Sequence, residues 1–168
     1  MSRVRTGETT LEEIDRELGE VEPDRAEPHP PPRILVVDDD VVARHIARAL
    51  LSSQGFTVSD AVDGADALRQ IATGPPVSLV LLDLSMPGMS GLAVLHELRG
   101  HVATSALPVV VLTASTDEHM EVASMDAGAD DYVHKPFESQ RFLARIKATL
   151  RRVEQQGPTF SVGSVFPG

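Results

Sequence analysis

Three carboxylates, a hydroxyl and an ammonium stand where separate apolar runs end. Asp38 and Asp39 follow Ile34 to Val37, Asp83 follows Leu79 to Leu82, Thr113 follows Val109 to Leu112, and Lys135 follows Tyr132 and Val133. The acids offer hard oxygen ligands and a nucleophile, the hydroxyl a hydrogen-bond donor, and the ammonium a charge to set against a developing anion. Such a set suits phosphoryl chemistry if its members converge. Open α/β sheets supply that convergence, because the C-termini of their strands share one edge and ligands bind just outside it.

The elements that must position these residues are readable from local pattern. Continuous aliphatic runs that stop at polar residues fit strands buried on both faces, as in parallel sheets. A further strand is expected over Phe56 to Ser59, with no candidate site residue at its tip. Helical spacing recurs between the strands: Val41, Ile46, Ala49 and Leu50 behind a capping Asp40 and before Gly55; a helix after Asp63-Gly64 that stops near Gly74; a third capped by Ser90; a fourth from about Asp117 to Gly128; and a fifth holding Phe142, Ile146 and Leu150. The alternation βαβαβαβαβα implies an α/β fold, a parallel sheet with helices on both faces.

Composition bounds the alternatives. The 168 residues, 42% hydrophobic, suffice for one ordinary core but not two comfortable ones. Cys is absent, which excludes a disulfide framework and a thiolate metal site. No stretch approaches the length of a membrane span, and no apolar run follows Met1 to Arg5, so a cytoplasmic protein with no membrane partner is expected. The net charge of -10 opposes direct nucleic-acid binding. Residues 1–32 contribute nine acidic and four basic side chains and end in a Pro-rich stretch, and they are expected to form a disordered arm. The ordered domain is expected over 33–153, with a flexible tail or linker remnant over 154–168.

The blocks Ile34-Leu35-Val36-Val37-Asp38-Asp39-Asp40, Leu81-Leu82-Asp83-Leu84-Ser85-Met86-Pro87-Gly88-Met89-Ser90-Gly91, Val111-Leu112-Thr113-Ala114 and Gly128 to Phe137 resemble the receiver domain of bacterial two-component response regulators. Every block is present and in order, with Asp39, Asp83, Thr113 and Lys135 separated by 44, 30 and 22 residues. The resemblance implies a flavodoxin-like, doubly wound fold with five parallel strands in the order 2-1-3-4-5. It implies that Asp83 is the phosphoacceptor, and that Asp38, Asp39, Asp83 and the backbone carbonyl of Ser85 hold Mg²⁺, or alternatively Mn²⁺. Lys135 and Thr113 would engage the phosphoryl oxygens, and Thr113 and Tyr132 would carry the switch between two packings. Lys135-Pro136 would be a cis peptide. Ser85 and Ser115, both small, predict a site open to the water that hydrolyses the acyl phosphate.

The implied donor is a sensor histidine kinase or a phosphotransfer protein, and the implied output is a downstream protein target that reads the surface of helix four, strand five and helix five. The chain would catalyse only its own phosphorylation and dephosphorylation and turn over no metabolite. The last helix, with Asp130-Asp131-Tyr132, is similar to receivers that precede a winged-helix domain. There Asp131 with Arg145, and Glu121 with Arg141 in exchanged sign, would pair across a homodimer formed on phosphorylation, and Thr149 departs from the basic residue found in some relatives. Exposed pairs of this kind contribute about 0 to 1 kcal/mol each, setting register more than affinity. A stand-alone receiver is the expectation for the chain as given, with a truncated winged-helix regulator as the alternative.

Each residue also has a plainer reading. The Asp triplet could be a solvated turn, Asp83 a turn residue before Met-Pro-Gly, Thr113 an ordinary strand end, Lys135 a surface lysine, Tyr132 a packing residue and the charged helices solvated faces. Three other functions compete. A dehalogenase-type phosphatase would carry an Asp where Ser85 stands, and a nucleotide switch would need Gly between Asp38 and Ala43. A phosphate-independent pseudo-receiver would lack one of Asp83, Lys135 or the acidic pair.

Overall fold

The apolar runs become strands because β-branched and aliphatic side chains fill both faces of a sheet sandwiched between helices. A computed structural model describes the backbone of residues 30–114 and 118–164, and side chains as far as residue 155. The expectations for the arm before residue 30, for Ser115 and for a helix start at Asp117 lie outside the described residues. Strands β1 (Arg33–Val37), β2 (Thr57–Ala61), β3 (Leu79–Asp83), β4 (Val109–Thr113) and β5 (Asp131–His134) form one sheet in the order β2-β1-β3-β4-β5. All four pairings are parallel, with Val37 opposite Ala61 and Leu82, Asp83 opposite Leu112, and Thr113 opposite His134. The connections reverse direction between β1 and β3, the point at which such sheets open a crevice.

Alternate strand residues feed two cores. Leu35, Val37, Val80, Leu82, Val109 and Val111 pack on one face against Ala67 of α2 (Gly64–Thr73) and Val94, Leu95 and Leu98 of α3 (Gly91–Gly100). Ile34, Val36, Leu79, Leu81, Val110 and Leu112 pack on the other against Ala47 and Leu51 of α1 (Val41–Ser53) and Phe142 and Ile146 of α5 (Ser139–Ser164). The remaining helix, α4 (Glu118–Asp126), lies between β4 and β5 in sequence, and Met120 from it packs on the first core. Helix starts follow the side chains that cap them: Asp40 accepts from the Val42 amide at 2.9 Å, Asp63 from Asp66 at 2.8 Å and Ser90 from Ala93 at 3.2 Å.

One boundary differs from expectation. Helical backbone continues past residue 153 to Ser164, where a tail or linker was expected from residue 154. The part of the helix anchored by Phe142 and Ile146 is nucleated by packing, and the extension beyond it includes Gly157 and Pro158, both poor helix formers.

Candidate phosphoryl site

The site is assembled where β1, β3, β4 and β5 end. Asp38 is wholly buried and each of its polar atoms has a neighbour. Its amide donates to Ala61 O at 3.2 Å at the end of β2, and its carbonyl accepts from Arg44 Nη1 at 2.6 Å. Its Oδ1 accepts from the Asp40 amide at 3.0 Å, and its Oδ2 lies 2.6 Å from Lys135 Nζ. That last contact is an ion pair without the alignment of a hydrogen bond, so Oδ2 remains a buried acceptor with unused capacity.

Asp83, the last residue of β3, is 4% exposed, and its Oδ1 lies 3.7 Å from Lys135 Nζ and accepts from the Ser85 amide at 3.3 Å. Its position is fixed from behind by Gly91, where a Cβ would stand 2.4 Å from Asp83 O and 2.7 Å from Leu84 Cα. Only a residue without a side chain lets the start of α3 lie that close to the strand end. Thr113 ends β4 at 4% exposure, and its carbonyl accepts from the Lys135 amide at 2.8 Å, which sets the lysine at the mouth. The peptide Lys135-Pro136 is cis, as the resemblance implies.

Asp38, Asp39 and Asp83 each present a carboxylate oxygen within 4.8 Å of the others, Asp39 from the exposed side. Negative charge is therefore concentrated and only partly answered. Burial first, and then the Asp38 carboxylate, push the Asp83 carboxyl up from 3.8 to about 6, against the opposing pull of Lys135 and the Ser85 amide. Burial opposes the charge on Lys135, yet the carboxylates of Asp38, Asp83 and Asp40 outweigh it and hold its pKa above the ordinary value. Three clustered carboxylates with unused oxygen capacity fit a hard divalent cation, which would relieve the charge that the single ammonium leaves unmatched.

Other expected residues lie around this centre. Ser85 is exposed on the loop after β3. Tyr132 is half-buried on the α2–α4 side of the sheet, edge-on to His134 at 5.5 Å, with the Arg145 guanidinium 5.6 Å from its ring centre. Of the four charges expected to pair between protomers, Arg145 Nη1 meets Asp131 at 2.8 Å within the chain, and Glu121 meets His134 Nε2 at 2.9 Å. Arg141 is exposed and its amide is capped by Glu138. Arg44 and Gly91 are positions that sequence reasoning did not assign to the site. A signal for Arg44 existed, since it sits beside the buried face of Ala43 and Ala47 on α1, where a basic side chain needs a buried partner. A cavity of about 660 Å³ between α2 and α3, lined by residues such as Ile71, Val77 and Leu107, shares no residue with the site.

Comparison with known proteins agrees with this geometry. Residues 34–147 match the model of the response regulator receiver domain. The chain is 46% identical over 134 residues to the response regulator MprA of Mycobacterium avium, an alignment that covers 80% of this chain and 58% of that protein. The corresponding figures for MprA of Mycobacterium leprae are 45%, 80% and 58%. The chain thus spans somewhat over half the length of the curated relatives it matches. A receiver domain protein, described as CheY-like, from Methanospirillum hungatei superposes with a TM-score of 0.69 at 28% identity, covering 75% of this chain and 98% of that one. The receiver domain of a Francisella response regulator does so with a TM-score of 0.64 at 29% identity, over 73% and 98%. On the matched family model, the level of identity to its relatives and the shared fold, the chain belongs to the response regulator receiver domain family.

Proposed function

We propose that Asp83 is the acceptor of a phosphoryl group carried by the phosphohistidine of a sensor histidine kinase or phosphotransfer protein. The observation that carries this reading is a nearly buried strand-end carboxylate with Lys135 at 3.7 Å and two further acids within 4.8 Å. An Asp83 oxygen forms a bond to phosphorus as the phosphorus to imidazole-nitrogen bond breaks, and the imidazole leaves with the electron pair. With its pKa near 6, Asp83 is mostly ionised and nucleophilic at neutral pH.

Asp39, Asp83 and Asp38 would hold Mg²⁺, with the Ser85 carbonyl beside them. The ion supplies charge neutralisation where a phosphoryl group meets a carboxylate. Lys135 supplies the remaining positive charge, placed 2.6 Å from Asp38 before transfer and free to follow the new anion when Asp83 becomes an acyl phosphate. Thr113 offers its hydroxyl to the phosphoryl group from the end of β4. The exposure of Ser85 supports water access and self-dephosphorylation, so the chain catalyses its own modification and no metabolic turnover.

The reading extends to output. Movement of Thr113 toward the phosphoryl group would be read by half-buried Tyr132 on the neighbouring strand β5. A switch from mostly off to mostly on needs about 5.5 kcal/mol of differential contact. The downstream surface is α4, β5 and α5, which a protein target or a second protomer would read. Among the described residues no helix is long and apolar enough to cross a membrane, which fits a receiver working in the cytoplasm.

The test is intact mass after incubation with Mg²⁺ and a small acyl-phosphate donor, on wild type and Asp83→Asn, with a chelator control. One phosphoryl adduct, lost in the variant and in chelator, is expected. A folded wild-type protein that takes no adduct would overturn the acceptor assignment and leave a phosphate-independent interaction module.

A further inference from the structure

Arg44 is the least expected neighbour of the acidic cluster. It projects from α1 with its side chain 13% exposed, donates from Nη1 to the Asp38 carbonyl at 2.6 Å, and places its Nε 3.8 Å from Asp60 Oδ2. That Nε is buried without a hydrogen-bond partner, so the guanidinium gives up one donor to keep this orientation. Asp60, near the end of β2, also receives Arg48 Nη2 at 2.8 Å on its other oxygen. The strand expected to carry no candidate site residue at its tip thus supplies the counter-charge beside Arg44.

The bond to the Asp38 carbonyl acts on the peptide that joins Asp38 to Asp39. Asp38 is already tied at its amide to Ala61 O and at Oδ1 to the Asp40 amide. Without a donor on its carbonyl, the 38–39 peptide plane is the remaining freedom, and its rotation swings Asp39 relative to Asp38 and Asp83. Divalent oxygen sites depend on ligand spacing to a few tenths of an ångström. A positive charge beside an acidic cluster has the opposite consequence, since by Coulomb's law alone it weakens cation binding.

We propose that Arg44, held by Asp60, is a positioning residue of the acidic site, fixing the Asp38–Asp39 peptide so that the three carboxylates stay within reach of one cation. The proposal rests on the reading of that cluster as a cation site. Geometry and charge predict opposite signs for removing Arg44, so the direction of the effect separates them. If Arg44 positions the acids, its loss weakens cation binding; if it acts only as a charge, its loss strengthens binding.

The experiment is titration of the full chain with Mn²⁺, free ion being counted by its paramagnetic resonance signal, for wild type, Arg44→Met, Arg44→Lys and Asp60→Asn, each shown to be folded by urea denaturation. Expected are a loss of affinity of about tenfold for Arg44→Met, recovery to within about threefold in Arg44→Lys, and a loss of a few-fold in Asp60→Asn. A second readout is free of metal. In chelator, hydrogen exchange of the Asp40 amide accelerates about tenfold in Arg44→Met while that of Val36 in β1 does not change. Unchanged or tighter Mn²⁺ binding by folded Arg44→Met overturns the proposal. Should that variant not fold, unchanged affinity and unchanged Asp40 exchange in Asp60→Asn overturn it instead. A wild-type protein that binds no Mn²⁺ overturns the cation site itself, and is told apart because it requires no variant.

Discussion

Replacing Asp83 with Asn should make the cation-free protein more stable at neutral pH. The side chain is 4% exposed and its carboxyl is raised from 3.8 to about 6, so the fold prefers the protonated acid. At about 1.4 kcal/mol per pKa unit, ionised Asp83 costs the fold about 3 kcal/mol. The pH window follows from the direction of the shift. Below about 3.8 the folded and unfolded chains both hold the proton and the cost vanishes. Between 3.8 and about 6 the unfolded chain releases its proton first, so stability falls as pH rises, and above about 6 the whole cost is in place. Asn keeps the shape without the charge. Urea denaturation in chelator, followed by far-UV circular dichroism, should therefore show Asp83→Asn about 3 kcal/mol more stable at pH 7.5, with a gap under about 1 kcal/mol near pH 4. Added Mg²⁺ should narrow the gap at pH 7.5 by stabilising wild type more than the variant, which lacks one of the three carboxylates. A gap that does not change between the two pH values, or a variant less stable at pH 7.5, would refute the account of the buried charge.

Two further outcomes test the surroundings of Asp83. Lys135→Met removes the ammonium 2.6 Å from Asp38 and 3.7 Å from Asp83; carbon-detected NMR titration should place the Asp83 carboxyl above its wild-type value, and adduct formation from the acyl-phosphate donor should slow by about a hundredfold or more. Gly91→Ala forces a Cβ to within 2.4 Å of Asp83 O, and should lower the urea-derived stability by about 1–3 kcal/mol while displacing the Asp83 amide signal in chelator.

The sheet was legible because buried parallel strands leave uninterrupted aliphatic runs, and the caps Asp40, Asp63 and Ser90 stand where the helices start. The convergence of Asp38, Asp83, Thr113 and Lys135 followed from strand ends sharing an edge. Contacts from side chain to backbone carbonyl were not legible. Arg44 to Asp38 O and Arg99 to Gly128 O, Thr104 O and Leu107 O depend on how closely two elements approach, and a carbonyl acceptor leaves no mark on residue type. The same limit applies to Glu121, whose partner His134 is adjacent only because α4 packs beside the end of β5. The extent of α5 past residue 153 was not legible either, because a segment holding Gly157 and Pro158, both poor helix formers, carries no helical signal in its residue types.

The strand order also has a consequence in time. During synthesis the three carboxylates leave the ribosome well before Lys135, since β1, β3 and β4 precede β5 in the chain. Without β5 in place, Asp38, Asp39 and Asp83 would stand with no ammonium beside them. Pairing of β5 on the edge of β4 is what brings Lys135 to Asp38 and Asp83. The charge balance of the acidic cluster therefore depends on a strand that lies at the edge of the sheet, held there by its pairing with β4 alone.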